Sequence, residues 1–124
     1  MILVDSCGWL EYFSNGDKAE EYYNYIKREP REKIVTPTIV IYEIYKKIKK
    51  EISEEKALIA VAQIENYSTV TPLKESIAIM AGDISIELHL PMADAIVYAT
   101  AKANKAKVIT SDEHFKDLEN VVFI

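Results

Sequence analysis

A chain of 124 residues that is 49% hydrophobic and 28% charged is long enough for one sizeable core, so we expect a single domain over residues 1–124. The net charge of −5 argues against a broadly basic nucleic-acid-binding surface. Three scattered glycines and one cysteine exclude glycine-rich phosphate loops, an internal disulfide and a cysteine metal cluster. Because no leader-like or membrane-spanning apolar stretch is present, we expect a soluble cytoplasmic protein without membrane contact.

Short apolar runs alternate with helical patterns along the chain, which is typical of a parallel α/β sheet. The first part of the sequence predicts a strand at Ile2–Val4, a helical turn at Trp9–Phe13, a helix at Lys18–Arg28 and a strand at Ile34–Thr36. These elements are the first half of the expected alternation.

The segment from Thr36 to Ile52 is rich in β-branched residues, which favour strands, but its apolar side chains recur with helical spacing. Thr36 suits the cap and Pro37 the first position of a helix. We therefore predict a helix whose inward side holds Ile41, Ile44, Tyr45, Ile48 and Ile52.

The second half of the chain continues the alternation. It predicts helices at Glu54–Tyr67, Lys74–Leu88 and Ala93–Ala103, a short helix at Glu113–Leu118, and strands at Val70, Lys107–Thr110 and Val121–Phe123. The inward side of the second of these helices is expected to hold Ile77, Ala81, Ile84 and Leu88. With right-handed crossovers, these elements predict an α/β fold, a three-layer α/β/α sandwich with a parallel sheet of about five strands.

Acidic residues lie where the predicted strands end. Asp5 follows the first strand and Asp112 lies just past the fourth, while Asp94 opens a helix and Glu43 lies in the first turns of the helix after strand two. Ligands of such sheets bind beyond the carboxyl ends of the strands, so we expect these acids to converge. Each acid alone fits a helix cap, but three of the six aspartates at one edge are a stronger signal. Crowded carboxylates need a cation, and oxygen ligands favour Mg²⁺ or Mn²⁺.

These same residues carry a resemblance to a known family. An N-terminal strand ending in Asp-Ser, Thr36-Pro37 ahead of Glu43, a PxADAxxxATA helix and a TxDxxF segment make the chain resemble PIN-domain ribonucleases, particularly VapC-type toxins. The resemblance spans essentially the whole chain. It implies that Asp5, Glu43, Asp94 and Asp112 bind Mg²⁺ or Mn²⁺ and are the catalytic acids of an endoribonuclease. It also implies an RNA substrate such as tRNA, a small antitoxin partner and a homodimer.

Three hydroxyl residues lie beside these acids in the sequence, namely Ser6, Thr110 and Ser111. They either orient the carboxylates or contact phosphate, or they serve the turns at the strand ends. One acid, Asp112 or Glu43, is the candidate to orient or deprotonate the attacking water. His114 has no histidine or cysteine companion at metal-ligand spacing, and we assign it no catalytic role.

Two surfaces are candidates for contacts with partners. Lys46, Lys47 and Lys50 share the helix side of Glu43, and they either guide an RNA backbone or form a solvated polar face. The first two helices carry more aromatic residues than a core of this size requires, so part of them is expected to form a partner groove, and the family resemblance implies that an antitoxin lies there. The candidates for this groove are Trp9, Tyr12, Tyr22, Tyr25 and Ile26.

Three other functions are compatible with a parallel α/β sheet. A phospho-acceptor receiver domain requires an aspartate after its central strand, whereas strand three here leads into Thr71 and Pro72. A phosphatase of the DxDxT kind requires an acid at the position of Cys7. A non-catalytic PIN-like scaffold that only binds a protein or RNA partner remains an alternative, which metal binding would distinguish.

Overall fold

In the computed structural model, which describes residues 1–124, one sheet occupies the centre of the protein. Its strands are β1 (Ile2–Val4), β2 (Ile34–Pro37), β3 (Thr69–Thr71), β4 (Lys107–Thr110) and β5 (Val121–Phe123). All neighbouring strands pair in parallel, in the order β3-β2-β1-β4-β5. Every residue of the central strand β1 is buried. The prediction of a five-stranded parallel α/β sheet is confirmed.

Six α-helices and two short 3-10 helices connect the strands. The α-helices are α1 (Ser6–Ser14), α2 (Ala19–Arg28), α3 (Thr38–Glu51), α4 (Glu54–Tyr67), α5 (Glu75–Leu88) and α6 (Met92–Ala103). The 3-10 helices are Arg31–Lys33 and Glu113–Phe115, so the predicted short helix ends before Leu118. None of the helices has the length and apolar character needed to cross a membrane.

The helices α2, α5 and α6 begin within one residue of their predicted starts, whereas the starts of α1 and α3 differ for structural reasons. α1 starts at Ser6, ahead of the predicted turn at Trp9, because the Asp5 side chain accepts a hydrogen bond from the Ser6 N–H and caps the helix. The predicted cap Thr36 and helical residue Pro37 both belong to β2. The Thr36 hydroxyl is buried and hydrogen-bonds Ser68 Oγ at 2.7 Å, so a tertiary contact draws this segment into the sheet.

The inward sides of α3 and α5 follow helical spacing except in their last turns. The predicted inward residues Ile41, Ile44, Tyr45, Ile48, Ile77, Ala81 and Ile84 are buried or pack against the core. Ile52 and Leu88, predicted to be inward as well, are 69% and 39% exposed. Ile52 already lies beyond the end of α3, and Leu88 is the last residue of α5, so both follow the chain as it leaves the packed layer.

Gly8 allows α1 and α2 to pack closely below the carboxyl end of β1. A Cβ atom at this position would lie 2.7 Å from Tyr22 Cδ1 and 2.8 Å from Val4 Cγ1. Both neighbours are fully buried and cannot move aside without disturbing the core. Only glycine therefore fits this crossing of the two helices.

We expect Gly8→Ala to lower the free energy of unfolding by about 1–3 kcal/mol, because the added methyl group overpacks a rigid contact. Denaturant unfolding measures this change. Gly82→Ala is the matched control, since a Cβ atom at Gly82 of α5 would meet nothing within 4 Å. It should raise stability by up to about 1 kcal/mol through helix propensity alone. A Gly8→Ala protein as stable as the wild type would contradict this account of the crossing.

Candidate metal centre

The carboxyl ends of β1 and β4 lie side by side at the centre of the sheet. The strand order reverses at this point, with β2 and β3 on one side and β4 and β5 on the other. Asp5 directly follows β1, and Asp112 follows β4 with one residue between. Both aspartates therefore lie at the position where parallel α/β sheets bind ligands.

Asp5 is the only acidic residue that is buried, with 3% of its surface exposed. Its Oδ1 accepts a hydrogen bond from the Ser6 N–H at 2.8 Å, and its Oδ2 accepts one from the Thr110 hydroxyl at 3.0 Å. Burial raises the pKa of Asp5 above its ordinary value in spite of these bonds. The carboxyl group is thus fixed in position while its negative charge lacks full compensation.

The three predicted hydroxyl residues have different contacts. Thr110 Oγ1 donates to Asp5 and accepts a hydrogen bond from the Asp112 N–H at 3.0 Å, so it links two of the acids. The Ser6 side chain lies close enough to Glu43 to oppose the rise in that residue's pKa. The Ser111 hydroxyl instead bonds the hydroxyl of buried Tyr22. Ser6 and Thr110 therefore orient carboxylates, whereas Ser111 faces the core.

His114, which has no role in the sequence analysis, lies among the acids. Its Nδ1 is 2.8 Å from Asp94 Oδ2 and 3.2 Å from Asp112 Oδ1. Asp94 lies in the first turn of α6, and the Asp112 side chain caps the 3-10 helix by accepting from the His114 N–H at 2.9 Å. Because Asp112 caps the 3-10 helix, the backbone turns so that the His114 imidazole lies close to the Asp112 carboxylate. The Asp-x-His spacing is the sequence signal that could have indicated this position of His114.

The acids influence one another's ionisation. Burial is the largest cause of the raised pKa of Glu43 on α3, and the charges of Asp5, Asp94 and Asp112 add to it. Burial also raises the pKa of Asp94 to about 6, followed by the charges of Asp112 and Asp5, while His114 lowers it. The structure thus brings all four acids into one electrostatically coupled group, which we call the acid cluster.

The donor chemistry of the acid cluster fits a hard divalent cation. Asp94, Asp112 and His114 offer ligand atoms that all lie within 4.8 Å of one another. Asp5 and Glu43 add two further carboxylates, whose pKa values are raised in part by the charge of Asp112. Burial, followed by the neighbouring charges, raises the pKa values of Asp5, Glu43 and Asp94, and a bound cation would compensate the buried negative charge. If a divalent cation binds here, Asp5, Glu43, Asp94 and Asp112 are the carboxylates that could hold it.

The three predicted lysines lie beside the acid cluster on α3. Together with Tyr42, Glu43 and Glu51 they line an open hollow of about 290 Å³, which we call the lysine hollow. Lys47 forms an ion pair with Glu51 at 3.4 Å, whereas no acid lies within ion-pairing distance of Lys46 or Lys50. The uncompensated positive charge next to Glu43 therefore comes from Lys46 and Lys50.

Part of the predicted aromatic groove is wrong. Trp9, Tyr22 and Ile26 have at most 2% of their surface exposed, because the close packing of α1 on α2 turns them into the core. Only Tyr12 and Tyr25 are partly accessible. A surface groove of about 480 Å³ instead lies between α1, α3 and α4, where its apolar lining is Leu10, Phe13, Ile48, Ile52, Ile59 and Ala60. We call this surface the apolar groove.

We expect Asp94→Asn to stabilise the metal-free protein at neutral pH. The pKa of Asp94 is raised to about 6 from 3.8, so ionising it disfavours the folded state above that pH, and the penalty disappears as the pH falls toward 4. The gain should be about 1–2 kcal/mol near pH 7 and close to zero near pH 4, by denaturant unfolding in EDTA. Asp17→Asn, exposed in the turn between α1 and α2, is the control and should be neutral at both pH values. An equal gain at both pH values would refute the electrostatic explanation.

The chain is similar to known proteins in its sequence and in its fold. A model of the PIN domain family matches residues 2–121. No sequence among curated proteins shows a significant match. A solved toxin-antitoxin complex from Klebsiella pneumoniae contains a similar chain, with a TM-score of 0.80, 23% identity, and coverage of 98% of this chain and 96% of that one.

Two other solved structures share the fold at lower identity. VapBC2 from Rickettsia felis, bound to a DNA fragment from its promoter, has a TM-score of 0.77 at 17% identity, covering 100% of this chain and 98% of that one. VapC20 from Mycobacterium tuberculosis, a sarcin-ricin loop cleaving toxin, has a TM-score of 0.75 at 13% identity, covering 94% and 92%. Since the family model matches almost the full length of the sequence, the chain belongs to the PIN domain family.

Proposed function

We propose that this protein is a Mg²⁺- or Mn²⁺-dependent endoribonuclease that hydrolyses RNA phosphodiester bonds, and that it is the toxin of a VapBC-type toxin-antitoxin pair. The observation that carries the proposal is the acid cluster at the carboxyl ends of β1 and β4 in a chain of the PIN family. An RNA-cleaving toxin among the similar folds supports the choice of RNA as substrate.

The residues of the acid cluster have different tasks in this proposal. When bound, the metal supplies stabilisation of charge on the scissile phosphate and a more acidic water. Asp5 supplies an immobile carboxylate, because Ser6 N–H and Thr110 hold its two oxygens before any ligand arrives. Asp94 and Asp112 supply carboxylates on the more exposed side of the cluster, where an RNA backbone has access.

Glu43 is the better of the two candidates for accepting a proton from the attacking water. Asp112 Oδ1 already accepts from the His114 N–H and holds the 3-10 helix in place. Glu43 is half-buried on α3 and caps no helix, and its raised pKa makes it a stronger base than an ordinary glutamate. We therefore assign proton acceptance to Glu43.

The lysine hollow is the proposed path of the RNA backbone toward the acid cluster. It adjoins Glu43, and Lys46 and Lys50 bring positive charge without an acidic partner to neutralise it. Local positive charge next to the acids allows a protein with a net charge of −5 to attract a polyanion. The contacts would be with phosphate and would not select a sequence.

We also propose two protein partners, an antitoxin and a second copy of this chain. Toxin-antitoxin complexes among the similar folds support the first, and the apolar groove offers it an exposed apolar recess of about 480 Å³. The outer side of α5 supports the second, because Ile79 and Ile86 are 62% and 77% exposed there. Equilibrium sedimentation would reveal the dimer.

We expect the purified protein to cleave tRNA or a sarcin-ricin loop oligonucleotide in Mg²⁺ or Mn²⁺ and to be inactive in EDTA. Asp5→Asn should lower the cleavage rate by about 100-fold or more, since it removes a ligand charge at a fixed position. The amide keeps an oxygen that can accept from the Ser6 N–H, so the fold should be intact by circular dichroism.

Asp17→Asn is the matched control for this variant because it removes one aspartate charge from the exposed turn between α1 and α2. It should cleave RNA at the wild-type rate. Equal activity of Asp5→Asn and the wild type would reject the assignment of the acid cluster. Metal binding by the wild type without cleavage of any RNA would instead favour the non-catalytic scaffold.

We expect the double variant Lys46→Ala/Lys50→Ala to bind RNA more weakly, with the slope of log K against log salt reduced by about 1–2. Binding is measured in the Asp5→Asn background so that the RNA remains uncut. The control is Lys102→Ala/Lys107→Ala. Lys107 begins β4 and therefore lies at the amino ends of the strands, whereas the acid cluster lies at their carboxyl ends. If both pairs change the slope equally, the lysine hollow is not the RNA path.

A further inference from the structure

His114 is part of the acid cluster in space but has no task in the mechanism above. Its imidazole has no hydrogen-bonding partners other than the carboxylates of Asp94 and Asp112. The side chain is 57% exposed, so core packing does not determine its orientation. The contacts with the two acids are therefore what places the ring over the cluster.

We propose that His114 is a direct ligand of the metal through Nδ1, which makes the centre a mixed carboxylate and imidazole site. This inference rests on the proposed metal-dependent function. It assigns a residue that sequence patterns give no role, and it changes the chemical class of the site from all-oxygen to nitrogen and oxygen.

The distances match the spacing of neighbouring ligands around one ion. In an octahedral site with bonds of about 2.1–2.2 Å, adjacent ligand atoms are about 3 Å apart. Nδ1 of His114 lies 2.8 Å from Asp94 Oδ2 and 3.2 Å from Asp112 Oδ1. All three side chains offer their atoms within 4.8 Å of each other, so a single ion can contact the set without a rearrangement of the backbone.

The local backbone keeps Nδ1 in this position. Asp112 Oδ1 accepts the His114 N–H at 2.9 Å as the cap of the 3-10 helix, so the carboxylate and the imidazole belong to one turn. The next residue, Phe115, is fully buried and anchors the end of that turn in the core. A ligand on a fixed turn binds with little loss of conformational freedom.

An imidazole ligand predicts a preference among metals. Nitrogen donors suit transition metals such as Mn²⁺ better than Mg²⁺, which prefers oxygen. Removing His114 should therefore weaken Mn²⁺ binding more than Mg²⁺ binding. If the imidazole instead occupies the place of the cation and must be displaced, its removal should tighten the binding of both ions.

The test uses Mn²⁺ and the full chain grown with ¹⁵N-histidine, with pulsed electron paramagnetic resonance as the readout. The chain has two histidines, so the signal can be assigned with two variants. We expect ¹⁵N coupling to Mn²⁺ in the wild type, its loss in His114→Ala, and its retention in His89→Asn. Asparagine is chosen for the control because His89 has a φ of 56°, which asparagine tolerates. Calorimetry should give a rise of about tenfold in the Mn²⁺ Kd of His114→Ala and about threefold or less for Mg²⁺.

Three results would overturn the inference. They are no ¹⁵N coupling in a wild type that binds Mn²⁺, coupling that survives in His114→Ala, and tighter Mn²⁺ binding by that variant. In each of these cases the metal centre and the proposed function remain in place. Failure of the wild type to bind either ion overturns the inference together with the metal-dependent function, so the two failures are distinguishable.

Discussion

The hydrogen bond from the Thr110 hydroxyl to Asp5 Oδ2 joins the ends of the two central strands. The same hydroxyl accepts from the Asp112 N–H, and the Asp5 N–H donates to the Ile109 carbonyl at 3.1 Å. These bonds fix two segments that carry acids, although burial and, to a smaller extent, the charge of Asp112 raise the pKa of Asp5. The rest of the site depends on this junction, because Asp94 and His114 are arranged around Asp112.

The acid cluster is a locally unfavourable arrangement that the surrounding fold has to sustain. Ionised Glu43 and Asp94 are disfavoured by burial and by their neighbours, so the metal-free cluster subtracts from the stability of the chain. The buried strand β1 and the tight crossing of α1 over α2 at Gly8 lie directly beneath it. Conflict of this kind is expected where residues are arranged for binding and chemistry.

Features that depend on regular patterns were predictable from the sequence, and features that depend on a particular partner were not. Helical spacing and strand alternation predict the sheet and thereby the positions of Asp5 and Asp112. Thr36 was misplaced because its bond to Ser68 comes from a distant segment. Trp9, Tyr22 and Ile26 were expected to line a surface groove, because the aromatic content of two helices does not show which of their sides pack against each other. His114 was missed because its approach to Asp94 requires a one-turn helix and another element.

The ion pair between Lys47 and Glu51 has a consequence for the surface of α3. Both residues line the apolar groove on one side and the lysine hollow on the other, so the pair is a shared wall between the two recesses. It is exposed and weak, which allows either side chain to swing at little cost. A molecule that reorients Lys47 or Glu51 from one recess therefore also alters the lining of the other, because the two recesses share these side chains.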